Sequence, residues 1–114
     1  MNSKKIYSMI SLCAKAGRLV SGNFSVEKAV KNGSACAVIV ACDAAHNTKK
    51  LFDQKCNFYE IPYFEFGDKD SLGKFVGKEF RTSIAILDEG FAKRPASLPK
   101  QIIKYMSLSE NMEV

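Results

Sequence analysis

The sequence predicts a three-layer α/β/α sandwich that is built on a four-stranded mixed sheet. Two uninterrupted apolar runs, residues 35–42 and 83–87, are typical of strands covered on both faces. Between the strand candidates, apolar residues recur at the three- and four-residue spacing of amphipathic helices. Because helices and strands alternate along the chain, we expect helices to pack on both faces of the sheet.

The first half of the chain predicts two helices and two strands. A helix over 4–16 places its apolar residues on one face and ends at Gly17. A short strand over 18–21 leads into a second helix over 23–32, and 35–42 follows as a central strand. The residues expected to face the core are Ile6, Met9, Ile10, Cys13, Ala16, Val26, Ala29 and Val30.

The second half continues the alternation. A third helix begins at Asn47 or Thr48 and reaches about Tyr59, and a strand over 61–66 contains Pro62, which suits a strand start or an edge. Asp68 caps a fourth helix through Val76, and Gly77 ends it. After the strand over 83–87, the Pro95 to Pro99 segment separates a domain over 1–94 from a helical extension over 95–114. The residues expected to face inward are Leu51, Phe52, Cys56, Tyr59, Leu72, Phe75 and Val76, and in the extension Leu98, Ile102, Ile103 and Met106.

The charge is unevenly distributed. The chain has a net charge of +5, and residues 1–60 hold nine Lys or Arg against four Asp or Glu, whereas residues 61–114 hold eight of each. An excess of positive charge favours an acidic partner such as nucleic acid, with an ordinary solvated surface as the alternative.

Several classes of protein fit the sequence poorly. No apolar run approaches the roughly 18 residues of a membrane span, and the run 6–12 is too short for an export signal. The nucleotide-binding motifs GxGxxG and GxxxxGK[ST] are absent, so no cofactor is expected. The irregular spacing of Cys13, Cys36, Cys42 and Cys56 favours reduced, buried thiols over a metal site. We therefore expect a cytoplasmic monomer without a membrane partner.

The candidate functional site lies where the second helix begins. Ser21-Gly22 closes a short strand, and the backbone N–H groups that open the next helix lack intrahelical partners and attract anions. Arg18, Lys28 and Lys31 are expected to contact phosphate, and Lys28 also to reach a base. The approach surface consists of Gly22, Asn23, Phe24 and Ser25.

Two further groups of residues are candidates for a function. In the loop 77–81, Phe80 between charged neighbours suits stacking on an unpaired base, and a place in the core is equally compatible with the sequence. The candidates for catalysis are Cys42 as a nucleophile with His46 as its base, and the adjacent carboxylates of Asp88 and Glu89. Structural roles account for these residues, because His46 helps to open the third helix and Asp88 caps a turn. An enzyme is therefore a less favoured class of protein than a binding protein.

Several segments together resemble the bacterial branch of the ribosomal protein L7Ae/L30e family, over roughly 6–94. The longest segment that carries the resemblance is 12–22, Leu-Cys-Ala-Lys-Ala-Gly-Arg-Leu-Val-Ser-Gly. Their order and spacing make the resemblance specific. The other segments that carry it are 26–30, Asp43, 47–50, 72–74, 77–79 and 86–92.

The resemblance implies the same sandwich and recognition of kink-turn RNA without catalysis. In this family the start of the second helix enters the major groove at the bend, with a Gly-x-Asn-Glu-x-x-Lys pattern that reads sheared G·A pairs. Gly22 and Lys28 match the pattern, whereas Phe24 and Ser25 stand in place of Asn and Glu. Phenylalanine cannot donate to guanine, so we expect weaker or relaxed kink-turn binding, or another structured RNA.

The resemblance also adds contacts and partners. The loop before the last strand covers an extruded nucleotide in this family, which implies Glu79, Phe80 and Arg81 as contacts. The implied function is a non-catalytic, ribosome-associated protein that binds ribosomal RNA or another kink-turn RNA. The alternative is a protein-interaction module on the same fold without RNA binding.

Overall fold

The structure is a computed structural model that describes residues 3–87. Within that range, helices and strands alternate as predicted, and each predicted element is present. The segment predicted to form a terminal helix and Asp88-Glu89 lie outside the described residues. The elements are α1 (Ser3–Lys15), β1 (Leu19–Ser21), α2 (Asn23–Lys31), β2 (Ala35–Val40), α3 (His46–Tyr59), β3 (Tyr63–Glu65), α4 (Lys69–Phe75) and β4 (Ser83–Leu87).

The four strands form one mixed sheet in the order β1-β4-β2-β3. β4 pairs antiparallel with both β1 and β2, while β2 and β3 are parallel. α1 packs against α4, and α2 packs against α3, so that helices cover both faces of the sheet. The predicted three-layer sandwich with a mixed sheet is therefore confirmed. β2 and β4 occupy the two central positions because they are almost entirely apolar and have helices on both sides.

Local signals set the ends of several elements. The Asp68 carboxylate accepts a hydrogen bond from the Ser71 N–H at 2.7 Å and so caps α4, as predicted. Gly17 and Gly77 follow α1 and α4 with positive φ angles of 74° and 79°. α3 ends differently, at Glu60, which adopts the left-handed region without being glycine.

Four residues expected in the core are exposed, and the first of them is Ala16, which lies just beyond the end of α1 at Lys15. β2 ends at Val40, two residues earlier than predicted, because the Cys42 N–H bonds to the Gly67 carbonyl at 2.8 Å instead of continuing the strand. Cys42 is therefore exposed. On α3 only Phe52 and Cys56, one turn apart, face the sheet, which leaves Leu51 37% and Tyr59 40% exposed.

One edge of the sheet gathers the segments that matter for the candidate site. It is defined by the last residues of β1, β2 and β3 and the first residue of β4, and we call it the helix-start edge because α2, α3 and α4 all begin there. Hydrogen bonds join these segments. The Ala41 N–H donates to the Thr82 carbonyl at 2.9 Å, and the Lys69 N–H donates to the Asp43 carboxylate at 2.9 Å.

The four cysteines form no disulfide, and they differ in accessibility. Cys13 and Cys56 are buried, Cys36 is half-buried and Cys42 is exposed. Burial raises the pKa of both Cys13 and Cys56 to about 11, because a thiolate loses its hydration in the core. The prediction of buried thiols therefore holds for two of the four.

Thiol labelling at pH 8 tests this difference. We expect a disulfide reagent to modify Cys42 first, because a thiol with a pKa of about 11 is only about 0.1% thiolate at pH 8. Cys13 and Cys56 should react only after unfolding in denaturant, and Cys42→Ser should remove the fast phase. Rapid modification of Cys13 in the native protein, located by peptide mapping, would contradict the described core.

Candidate nucleic-acid interface

Gly22 shapes the start of α2. Its φ of 96° with ψ of 143° is a backbone conformation that side chains with a Cβ rarely adopt. The Gly22 N–H donates to the Ser83 carbonyl at 3.0 Å, and its own carbonyl accepts from the Val26 N–H at 2.9 Å. The chain thereby turns directly from β1 into α2 at the helix-start edge.

The first turn of α2 is left with unpaired donors. Gly22 offers no side chain to cap the helix, and the first turn contains no acidic residue. Within residues 3–87, the N–H groups of Asn23, Phe24 and Ser25 have no hydrogen-bond acceptor. These groups and the helix dipole make this end of α2 positive.

Asn23 links α2 to the last strand. Its Oδ1 accepts hydrogen bonds from the hydroxyls of Ser83 at 2.6 Å and Thr82 at 3.1 Å. Ser83 is 0% exposed, so its hydroxyl depends on this acceptor. The Asn23 Nδ2 donor has no partner among residues 3–87. The Asn23 side-chain oxygen therefore binds the hydroxyls of Thr82 and Ser83, and the amide nitrogen remains available to donate to a ligand.

Arg81 forms a second link. Its Nε donates to the Ser21 hydroxyl at 3.0 Å, and its Nη1 donates to the Phe80 carbonyl at 2.7 Å. The side chain passes Gly22, where a Cβ would lie 3.9 Å from Nε. The loop between α4 and β4, residues 76–82, is thus attached beside the start of α2.

Phe80 lies on the surface of this α4–β4 loop. It is 52% exposed, and the Lys69 ammonium lies 5.8 Å from the centroid of its ring. The loop packs closely on α4 at Gly73, where an added Cβ would come within 2.5 Å of the Phe80 Cα. Of the two alternatives for Phe80, the structure shows the exposed one.

The exposed face of α2 carries the other predicted residues. Phe24 is 82% exposed, and Lys28 follows one turn later, exposed and without an ion pair among the described residues. Lys31 differs, because its ammonium pairs with Glu27 at 3.3 Å. The carboxylate of Glu27 also lies 3.6 Å from the Lys55 ammonium.

The structure brings together most, but not all, of the predicted site. Arg18 precedes β1, and its carbonyl accepts from the Leu87 N–H at the opposite edge of the sheet. It is therefore roughly 10 Å from the start of α2. Lys31 ends α2, roughly 12 Å along the helix axis from Asn23. The residues that share the helix-start edge or the adjoining first turns of α2 are Gly22, Asn23, Phe24, Ser25, Lys28, Phe80 and Arg81. Glu79 belongs to the same α4–β4 loop, and its carbonyl lies against α4 at Gly73.

Sequence reasoning missed Lys69. It contributes the cation near Phe80, and its carbonyl accepts from the Arg81 N–H at 3.0 Å. Lys69 directly follows the helix cap Asp68, and this position could have indicated it as a site residue, because α4 starts at the same edge as α2. Ser21, Thr82 and Ser83 were also missed as the partners that hold the two segments together.

Other kinds of site find little support in the described range. Residues 3–87 contain no group of three or more potential metal-ligating side chains. None of the helices in that range is both long and apolar enough to cross a membrane. His46 is the first residue of α3, which agrees with the predicted role in opening that helix.

Comparison with known proteins identifies the family. A family model described as "Ribosomal protein L7Ae/L30e/S12e/Gadd45 family" matches residues 4–94. The chain belongs to this family. RNA-binding protein YlxQ of Bacillus subtilis (strain 168) is 36% identical over 98 residues, which cover 86% of this chain and 98% of that protein. Large ribosomal subunit protein eL30 of Candida albicans is 32% identical over 91 residues, which cover 78% and 86%.

Two solved structures have a similar fold. A protein of unknown function from Bacillus halodurans C is 38% identical, with a TM-score of 0.73 over 86% of this chain and 96% of the other. The Giardia lamblia 15.5kD RNA binding protein gives a TM-score of 0.74 over 93% and 88%, at 19% identity. The second likeness is one of fold alone. The predicted resemblance to the L7Ae/L30e family is confirmed.

A double-mutant cycle tests the link through Asn23. Asn23→Ala leaves the buried Ser83 hydroxyl without an acceptor and should lower the free energy of unfolding by about 1–3 kcal/mol. Ser83→Ala should lower the free energy of unfolding by less, because the Asn23 amide is exposed and water can replace the lost hydrogen bond. The double variant should resemble Ser83→Ala in urea denaturation. Strictly additive costs would show that the two side chains do not interact.

Gly73→Ala tests the packing of the α4–β4 loop against α4. The new methyl group would meet backbone atoms of Glu79 and Phe80, so the loop must move away from α4. We expect a loss of about 1–3 kcal/mol in urea denaturation. Lys74→Ala is the matched control, since its exposed side chain should leave stability within about 0.5 kcal/mol. Equal stability of both variants would rule out the described contact.

Proposed function

We propose that this protein is a non-catalytic RNA-binding protein that recognises structured RNA with a kink-turn-like bend. The proposed contact surface is the start of α2 together with the α4–β4 loop. The observation that carries the proposal is the joining of these two segments by Asn23 and Arg81 at one edge of the sheet. The surface so formed combines unpaired N–H donors, cations and exposed aromatic rings, which suit phosphates and unpaired bases.

The relatives support the same class of partner. One is named an RNA-binding protein and another a large ribosomal subunit protein, and both match over most of their length. We therefore propose ribosomal RNA or another kink-turn RNA as the partner of a cytoplasmic monomer. The positive charge excess in residues 1–60, which include α2, supports an anionic partner.

The side chains suggest how such an RNA would be held. The three free N–H groups of the first turn and Lys28 would face phosphate or the groove at the bend. The Asn23 Nδ2 remains a donor for a guanine acceptor, whereas Phe24 and Ser25 stand where the family resemblance implies Asn and Glu. Affinity would then come mainly from backbone contacts and the bent shape. Arg18 and Lys31 lie farther away and would reach only flanking phosphates.

A salt titration of RNA binding tests the proposal. We expect the protein to prefer a kink-turn RNA over an unkinked duplex of the same length. Lys28→Ala should weaken binding to the kinked RNA and reduce the slope of log K against log salt by about one, because one phosphate contact is lost. Binding would be followed by fluorescence anisotropy at several salt concentrations.

Lys15→Ala is the matched control for Lys28→Ala. Lys15 is also exposed, but it ends α1 and lies before the chain enters β1 at the opposite edge of the sheet. This variant should bind the kinked RNA nearly as the wild type does. Unchanged affinity and slope for a folded Lys28→Ala protein would refute the proposed site, and equal binding to both RNAs would refute kink-turn recognition.

One observation favours the second candidate, a protein-interaction module. Leu51, Phe58 and Tyr59 are exposed on α3, and the rings of Phe58 and Tyr59 form an edge-to-face pair with centroids 4.9 Å apart. Exposed aromatic residues are frequent in protein interfaces. Failure to bind either RNA at low salt would favour this candidate.

A further inference from the structure

Phe24 is the most exposed large apolar residue among residues 3–87, at 82%. The core-facing residues of α2 are Val26, Ala29 and Val30, and Phe24 contributes nothing to that buried face. A single exposed phenylalanine is ordinary on a protein surface. The residues next to Phe24 on α2 indicate a function for its side chain.

Phe24 lies at one end of a groove with positive charge. Lys28 and Lys31 follow it at four and seven residues and so share its face of the helix. With Glu27 and Asn32, these three residues line a groove of about 380 Å³, within the size range of small-molecule sites. The Glu27 carboxylate already has ammonium groups at 3.3 and 3.6 Å. The groove therefore offers an aromatic ring and a net excess of positive charge.

The groove continues the proposed RNA surface. Asn23, the residue before Phe24, is hydrogen-bonded to Thr82 and Ser83 beside the α4–β4 loop. A ligand held at that loop can therefore extend onto α2 without crossing an unrelated surface. A ring next to ammonium groups favours a base with its phosphates, because bases stack on aromatic faces while lysines neutralise the backbone.

We propose that Phe24 is a stacking platform for an unpaired nucleotide of the bound RNA, with the adjoining phosphates on Lys28 and Lys31. This inference rests on the proposed RNA binding and narrows its substrate class. The preferred RNA has an unpaired nucleotide at the start of α2, and it is selected there by stacking instead of by hydrogen bonds to base-pair edges.

The chain contains no tryptophan, which makes a direct test possible. In Phe24→Trp, stacking on a base should quench the new indole fluorescence when a kink-turn RNA with unpaired nucleotides is added. Phe58→Trp is the matched control, because Phe58 is 77% exposed near the end of α3 that lies away from the helix-start edge. Its fluorescence should change little in the same titration.

Affinity gives a second readout. Phe24→Leu keeps an apolar side chain but removes the ring, and it should weaken binding on the order of tenfold, within the range measured for loss of one base stack. Its thermal midpoint should equal that of the wild type, since Phe24 is exposed. Phe24→Trp keeps an aromatic ring and should therefore bind more tightly than Phe24→Leu, whereas Phe58→Leu, outside the proposed RNA surface, should leave the Kd unchanged.

The outcomes separate this inference from the proposed function. Wild-type affinity in Phe24→Leu, or unquenched fluorescence in Phe24→Trp, overturns stacking on Phe24 while leaving RNA binding intact. Equal quenching in Phe58→Trp also overturns it, because the RNA would then coat the surface without a defined site. Failure of the wild type to bind either the kinked RNA or a duplex overturns the proposed function and this inference together.

Discussion

The hydrogen bonds that Asn23 Oδ1 accepts from Thr82 and Ser83 set the geometry of the candidate site. They join the start of one helix to the beginning of a strand about sixty residues later in the chain. Because the Ser83 hydroxyl is fully buried, it needs this acceptor, and the position of Asn23 is tied to the core. The free N–H groups of α2 and the α4–β4 loop are placed relative to each other as a consequence.

Two glycines allow the backbone to come close enough for this arrangement. Gly22 adopts a positive φ at the junction of β1 and α2, and Gly73 leaves room for the backbone of Phe80 on α4. A side chain at Gly73 would separate the loop from α4 and move Phe80 with it. The exposure of Phe80 thus depends on close backbone packing below the loop.

Two of the exposed aromatic rings lie close to cations near the helix-start edge. Phe24 and Phe80 lie on the two segments that Asn23 and Arg81 bring together, and each has a lysine nearby, Lys28 on α2 and Lys69 at the start of α4. The buried side chains of the described range, by contrast, are apolar apart from Ser83, and no buried side-chain polar atom in that range lacks a partner. The division is consistent with a fold whose interior gives stability and whose helix-start edge is available for a ligand.

The amino-acid sequence by itself determined the order of the elements, the two covered strands, the Asp68 cap and the membership of the family. These depend on local periodicity, on turn residues and on motif order, all of which are readable along the chain. It also indicated Gly22 to Ser25, Lys28 and Phe80 as site residues. It did not separate them from Arg18, which the structure places at the opposite edge of the sheet.

The tertiary structure alone decided which candidates share a surface. The inward role of Asn23, the cation at Phe80 from Lys69, the distance of Arg18 and the exposure of Cys42 all depend on the strand order β1-β4-β2-β3 and on contacts between distant segments. Helical and strand periodicity reports which face of an element is apolar. It carries no information about which polar groups from other elements will meet at a sheet edge, because those contacts form only when the sheet is assembled.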